Sequence, residues 1–299
     1  MLDKKARVVE VRSAGILSDS KIVPMEAAKM FETGLDKLSL SGIGDDLLTR
    51  LFPVGQTIGI KVNTLAGRRL STSPPLVYSL ADIFHDLGHK KSDIIIWDRR
   101  ERELISAGYA IQTGGSDYRC FATDTLGAGF ANKLYNHKSI GSMVSRIQAE
   151  MANVTVNFPV LKDHSLAGLS GCLKNNYGVI HNPNKYHENF CDPFQADLFE
   201  MDVIGGKQRL AVFDAIWVQF NGGPGFVNQW VEEYKAILLA MDAVALDTVA
   251  IEIIDRLRTK SGLERLKDSG REPIGIKTAG KYALGCADLS GIEWIVIEV

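Results

Sequence analysis

The chain has 299 residues and is 45% apolar, enough to bury a substantial core as one large domain or as two closely joined ones. Its 34 lysines and arginines nearly balance 36 aspartates and glutamates, which excludes the basic face of a nucleic-acid binder and an acidic solvating tail. No apolar run approaches the ~20 residues needed to cross a bilayer, and MLDKKARVVEVRSAG carries charges where a signal peptide has its hydrophobic stretch. As written, the chain is expected to be cytoplasmic.

The predicted elements alternate. Apolar residues at helical spacing in PMEAAKMFETGLDKLSL (Met25, Ala28, Phe31, Leu35, Leu38) predict an amphipathic helix, and TIGIKVN (57–63) predicts a short strand. PPLVYSLADIFHDLGH has prolines where a helix starts and Gly88 where it ends, and DIIIWD (93–98) is short and apolar enough to be a buried strand. A helix in SMVSRIQAEM then leads to a strand in NVTVNFPVL (153–161). Strands in RLAVFDAIW (209–217), KAILLA (235–240) and EWIVIEV follow, with the helix AVALDTVAIEIIDRLR before the last. Strand–helix–strand repetition defines an α/β class with an open, largely parallel sheet and helices on both faces. It forms one domain over 1–299, or two closely packed lobes of about 1–150 and 151–299.

Ligands of such sheets bind at the carboxyl ends of the strands. That rule collects Asn63, Thr64, Asp98, Arg99, Lys162, Asp163, His164 and Asp214, with Asp242 and Asp247 at the last long helix. Asp242 reads as an N-cap, whereas Asp247 is either a first-turn carboxylate or one turned toward the site. KDHSLAGLSGCLKNNYGVIH (162–181) is the richest stretch: Lys162, Asp163, His164, Lys174, Asn175, Asn176 and His181, then His187, are interleaved with Gly168, Ser170, Gly171 and Gly178. Small residues permit close approach of backbone to a ligand, a helix starting here would offer free N–H groups to an anion, and the lysines suit a carboxylate or phosphate. His164 beside Asp163 suits proton transfer near neutral pH. VQFNGGPG (218–225) is a second glycine-rich loop, either a turn or a cover for the ligand. Cys120, Cys172, Cys191 and Cys286 form no C-x-x-C pair, so no zinc finger, thioredoxin-like motif or iron–sulfur cluster is expected in this chain.

VNFPVLKDHSLAGLSGCLKNNYGVI, with IKVNTLAGRRLSTSP, FDAI, GGPG and MDAVALDTVA, resembles the domain-of-unknown-function 362 family over most of the chain. That resemblance implies an α/β fold. Family members with twin-arginine export signals imply a periplasmic location if such a leader has been trimmed, and fusions to iron–sulfur modules imply an iron–sulfur redox protein as a partner. The string H-x-x-A-G-L-S-G-x-x-K, from His164 to Lys174, is also similar to a segment of the lactate racemase family. This implies His164 as catalytic acid/base, Lys174 as a covalent or anionic anchor of a nickel-pincer nucleotide, and His181 or His187 as a metal ligand. Where that family has a second catalytic histidine followed by arginine, this chain has Asp98 and Arg99.

The expectation is therefore an enzyme for a small anionic, carboxylate-bearing ligand. His164, Asp163, Lys174 and Asp98 would carry the chemistry, and Lys162, Asn63, Thr64, Ser170, Gly171, Asn175, Asn176, Arg99 and Asp214 the binding. A divalent nickel, iron or zinc ion on His181, His187 and Asp247 is the metal-dependent version. The alternative is a non-catalytic redox-partner protein, which should show an apolar patch and no deep pocket.

Overall fold

A computed structural model describes residues 5–299. Ten strands form the main sheet: β1 (Ala6–Arg12), β2 (Ile58–Val62), β3 (Ile94–Asp98), β4 (Arg119–Ala122), β5 (Val154–Phe158), β6 (Val160–His164), β7 (Gly168–Leu169), β8 (Gln208–Gln219), β9 (Val231–Ala240) and β10 (Ile292–Glu298). Their order is β10-β1-β9-β8-β5-β2-β3-β4, with β6 paired to β8 and to β7. Both β1 and β8 are antiparallel to β9 and the other contacts along this path are parallel, so β9 alone on the path runs against the rest. The open, largely parallel α/β sheet is thus the fold of the described chain.

Helices cover both faces: α1 (Pro24–Leu38), α2 (Gly44–Leu51), α3 (Pro74–Asp86), α4 (Glu101–Ala107), α5 (Cys172–Asn175), α6 (Phe194–Phe199), α7 (Ala243–Lys260) and α8 (Ile274–Lys281). Strand β8 shows why two layers are needed. Leu210, Val212 and Ile216 enter a core with Phe31 of α1 and Leu80 of α3, while Ala211, Phe213 and Ala215 enter another with Val249 and Ile253 of α7. Successive side chains point to opposite faces, and each fully buried Leu, Ile or Phe contributes about 1.5–3 kcal/mol, so neither face tolerates water. Among the described residues no helix is long and apolar enough to cross a membrane.

Three departures from the pattern reading have local causes. The buried stripe of α1 is Ala27, Met30, Phe31, Gly34, Leu35 and Leu38, and Met25 is 78% exposed because it sits in the first turn, ahead of the packed stripe. The helix expected in SMVSRIQAEM is a single π-helical turn, Ile147–Met151. NVTVNFPVL makes two strands, because Pro159 has no N–H to donate to a ladder: β5, between β2 and β8, ends at Phe158, and β6 continues beside β8 without the pairing to β2. That break makes Lys162, Asp163 and His164 residues of a strand, and β1 is a strand the pattern reading did not pick out.

Candidate active site

Because β6 is a strand, its side chains alternate. Lys162 and His164 line a cavity of about 360 Å³ at the carboxyl ends of β2, β3 and β6, and Asp163, between them, does not. Arg271 Nη1 donates to Asp163 Oδ2 at 3.0 Å and Gly223 N donates to Oδ1 at 2.8 Å. Burial pushes the Asp163 carboxyl up, opposed by those donors. Asp163 therefore holds the VQFNGGPG loop and the segment before α8, and is not the partner of His164; Pro224 of that loop touches the cavity.

The cavity floor is a bonded network. Lys61 of β2 donates from Nζ to Asp98 Oδ1 at 2.6 Å, to Val62 O at 2.7 Å and to Asn175 Oδ1 at 3.2 Å. Thr64 donates to Asp98 Oδ2 through N (2.8 Å) and Oγ1 (2.7 Å), and Arg99 N donates to Oδ1 at 2.7 Å. Asn175 receives Asn63 Nδ2 at 3.3 Å and donates to Asn157 Oδ1 at 2.8 Å, tying α5 to β2 and β5. Gly178 must lack a side chain here, because a Cβ would meet Lys61 Nζ at 2.9 Å and Asp98 Oδ1 at 3.3 Å. Asp98 is consequently saturated, while Asn63 Oδ1 is buried without a partner.

Beside this floor lie two lysines without carboxylate partners. Lys162 is 0% exposed, its Nζ makes one long bond to Leu70 O (3.4 Å), and burial lowers it to about 8 against the pull of Asp98 and Asp163. Lys174 Nζ stands 3.0 Å from His187 Nε2 and 3.7 Å from the Tyr177 ring centroid; burial lowers it to about 8 too. Arg99, Arg100 and Arg102 complete six cationic side chains on the lining against two carboxylates, Asp98 and Glu103. Burial, then Asp98, raises the Glu103 carboxyl. A low-dielectric cavity with this excess of positive charge attracts an anion.

His164 Nδ1 accepts from Leu166 N (3.1 Å) and Ala167 N (3.2 Å). An amide can only donate, so Nδ1 is unprotonated and the proton of the neutral ring sits on Nε2. Burial, then Lys174, His187 and Lys162, holds the ring's pKa down to about 3. At neutral pH His164 offers Nε2–H as a hydrogen-bond donor, and so depressed a ring is not itself a proton donor there. The tight turn that brings these amides back needs Gly168 at φ +74°, where a Cβ would also strike Arg271 O and Pro273.

The remaining expected residues separate. The N–H groups of α5 expected for an anionic ligand are taken by the protein: Cys172 N and Leu173 N donate to Asp247 Oδ1 (2.6 Å) and Oδ2 (3.0 Å), and Gly171 lets that carboxylate approach. Burial raises Asp247 to about 7, opposed by those two donors. Asp214 accepts from Ser73 N at 2.8 Å, at the start of α3, and Asp242 accepts from Ala245 N as the N-cap of α7. Ser170 lines the cavity with its Oγ donating to Asp163 O at 3.2 Å, while Asn176 is buried behind it with Nδ2 unpartnered. His181 is exposed, its ring packed edge-on to Phe130. His181, His187 and Asp247 therefore do not converge, and among the described residues no group of three or more His, Cys, Asp or Glu is placed to hold a metal. The donor set does not fit the divalent ion expected from sequence, because Asp247 is spent on a helix end and His181 faces outward.

Lys61, Glu103, Arg100, Arg102 and Tyr177 belong to the lining and were not singled out from sequence. A lysine inside the apolar strand IGIKV, two residues before Asn63, and the run RRERE after WD were the available signals.

Fold and cavity together define an α/β protein with a predominantly cationic cavity at the strand ends. The chain belongs to the family described as Domain of unknown function (DUF362), whose model matches residues 58–252 and so spans β2 through most of α7. No curated protein matches the sequence. A crystal structure of a protein from Thermotoga maritima aligns with a TM-score of 0.42 at 12% identity, covering 83% of this chain and 61% of that one.

Proposed function

We propose that the protein is an enzyme whose cavity binds a small carboxylate-bearing ligand, with Lys162 and Lys174 as anion anchors and His164 as a neutral hydrogen-bond donor through Nε2. One observation carries this reading: a fully buried Lys162 and a half-buried Lys174, neither paired with a carboxylate, line the same cavity. A buried unpaired ammonium costs several kcal/mol, so its retention is explained by a ligand that supplies the missing negative charge. Asn63 Oδ1, buried without a donor, offers an acceptor for a ligand hydroxyl or protonated group. The cavity volume falls within the range of small-molecule sites. The non-catalytic redox-partner reading expects no deep pocket, and this cavity argues for the ligand reading over it.

Calorimetric titration with small carboxylates and with inorganic phosphate tests the proposal. Wild-type protein is expected to bind a carboxylate, and Lys162→Met to lose at least about tenfold in affinity with an unchanged circular dichroism spectrum, since a charge-assisted hydrogen bond is worth about 1.5–3 kcal/mol. Equal affinity in both proteins would remove Lys162 as an anchor.

A further inference from the structure

The two cavity lysines differ in what surrounds the amine. Asp98 and Asp163 favour the ammonium form of Lys162, and no base stands next to its Nζ. Lys174 has a base: its Nζ lies 3.0 Å from His187 Nε2. His187 Nδ1 is 3.0 Å from Pro183 O, which can only accept, so Nδ1 carries the ring proton and Nε2 directs a lone pair at the lysine. Tyr177 fixes the other side, its ring under the amine and its hydroxyl donating to Tyr186 O at 2.7 Å. The ring face favours the ammonium and burial opposes it; burial prevails and lowers the amine to about 8, so the free amine is a minor form at pH 7 that grows as pH approaches 8.

We propose that Lys174 is a covalent site, its amine condensing with the carbonyl carbon of a small 2-oxo acid held in the cavity. This deepens the anion-binding reading and rests on it, with Lys162 taking the carboxylate. The ammonium of Lys174 passes a proton to His187 Nε2, and the nitrogen lone pair then attacks the carbonyl carbon while the carbonyl π pair moves to oxygen. The oxygen leaves as water carrying two protons, equal to the two lost from the neutral amine, and the C=N bond forms with no net oxidation or reduction. His187, protonated at Nε2 in the first step, is the acid available to return a proton to the departing oxygen, and His164 Nε2–H, in the same cavity, can hydrogen-bond to that oxygen. An electron-withdrawing imine at this carbon would ease loss of an adjacent proton or carboxylate, so the substrate class is 2-oxo acids and the reaction class is proton removal or C–C cleavage next to the carbonyl.

The test is reductive trapping on the full chain, with pyruvate as probe, cyanoborohydride as trap and peptide mapping by mass spectrometry. The expected result is an adduct on the Lys174 peptide at least roughly tenfold above any other lysine, forming faster as pH rises from neutral to about 8. His187→Gln is expected to slow trapping roughly tenfold near pH 7 and to recover in alkali, where solvent takes the proton; a merely structural role for His187 would not give that pH-dependent rescue. No adduct, an adduct on Lys162 or spread over surface lysines, or a Lys174 already occupied by another covalent group in the isolated protein overturns the proposal. The mapping uses the wild-type chain, so a variant that fails to fold cannot blur it. Calorimetry with lactate, which has no carbonyl, separates the two readings. Lactate binding without a pyruvate adduct overturns the imine alone, whereas a Lys174 adduct with no carboxylate binding overturns the anchor role and keeps the imine.

Discussion

Two neighbouring parts of one sheet rim use charged side chains to opposite ends. Around β6, β8 and α7, the aspartates 163, 214, 242 and 247 each accept hydrogen bonds from backbone N–H groups, Asp163 pairing with Arg271 as well, and are consumed in holding loops and helix ends. Facing the cavity, Lys162 of β6 is as deeply buried and Lys174 of α5 half-buried, yet both keep bonding capacity that the protein does not use. Burial alone does not mark a site; unspent capacity facing a cavity does.

The sharpest way to break that contrast is on the saturated side. Asp163→Ala removes the partner of Arg271 and the carboxylate that anchors Gly223 N, and is expected to cost about 3–5 kcal/mol of unfolding free energy in urea titrations. A loss below about 1 kcal/mol would mean the aspartate is not structural. Asp247→Ala strands the N–H groups of Cys172 and Leu173, and about 2–3 kcal/mol should be lost on the same measurement.

On the unsaturated side the sign should reverse. Lys162 is lowered from 10.5 to about 8 on folding, so between those values the unfolded chain holds a proton that the folded one has released. Stability linked to Lys162 therefore rises as pH climbs from about 8 toward 10.5, and the cost of the buried charge is fully present below the folded value. Lys162→Met should be at least as stable as wild type at pH 7 and should lose that rise; a variant destabilised at pH 7 would show that the ammonium is well satisfied. His164 should show an Nε2–H tautomer and no titration between about pH 5 and 8 in nitrogen-correlated NMR. A midpoint near the ordinary histidine value would sink its assignment as a donor. The smallest effect belongs to the exposed rim: Arg102→Ala should leave stability within about 0.5 kcal/mol and weaken ligand binding about twofold, more at low salt.

Much of the site was visible in the string from Lys162 to His187, since Lys162, His164, Ser170, Lys174, Asn175 and His187 do share one cavity with Asn63, Asp98 and Arg99. Asp163 misled because adjacency in sequence suggests partnership, whereas in a strand it puts neighbours on opposite sides. Asp247 and Gly171 misled in a different way: the helix start was foreseen, but the anion that fills it is seventy-five positions along the chain from Cys172.

The sequence by itself determined the α/β class, the places of most parallel strands and the rim where polar residues gather, because hydrophobic periodicity and turn residues act over a few neighbours. Tertiary structure alone decided which polar groups are spent and which stay free. Lys61 with Asp98 and Asn63 with Asn175 come together only when distant segments align, Lys174 meets His187 only through the turns between them, and hydrogen-bond capacity is settled by those contacts in space.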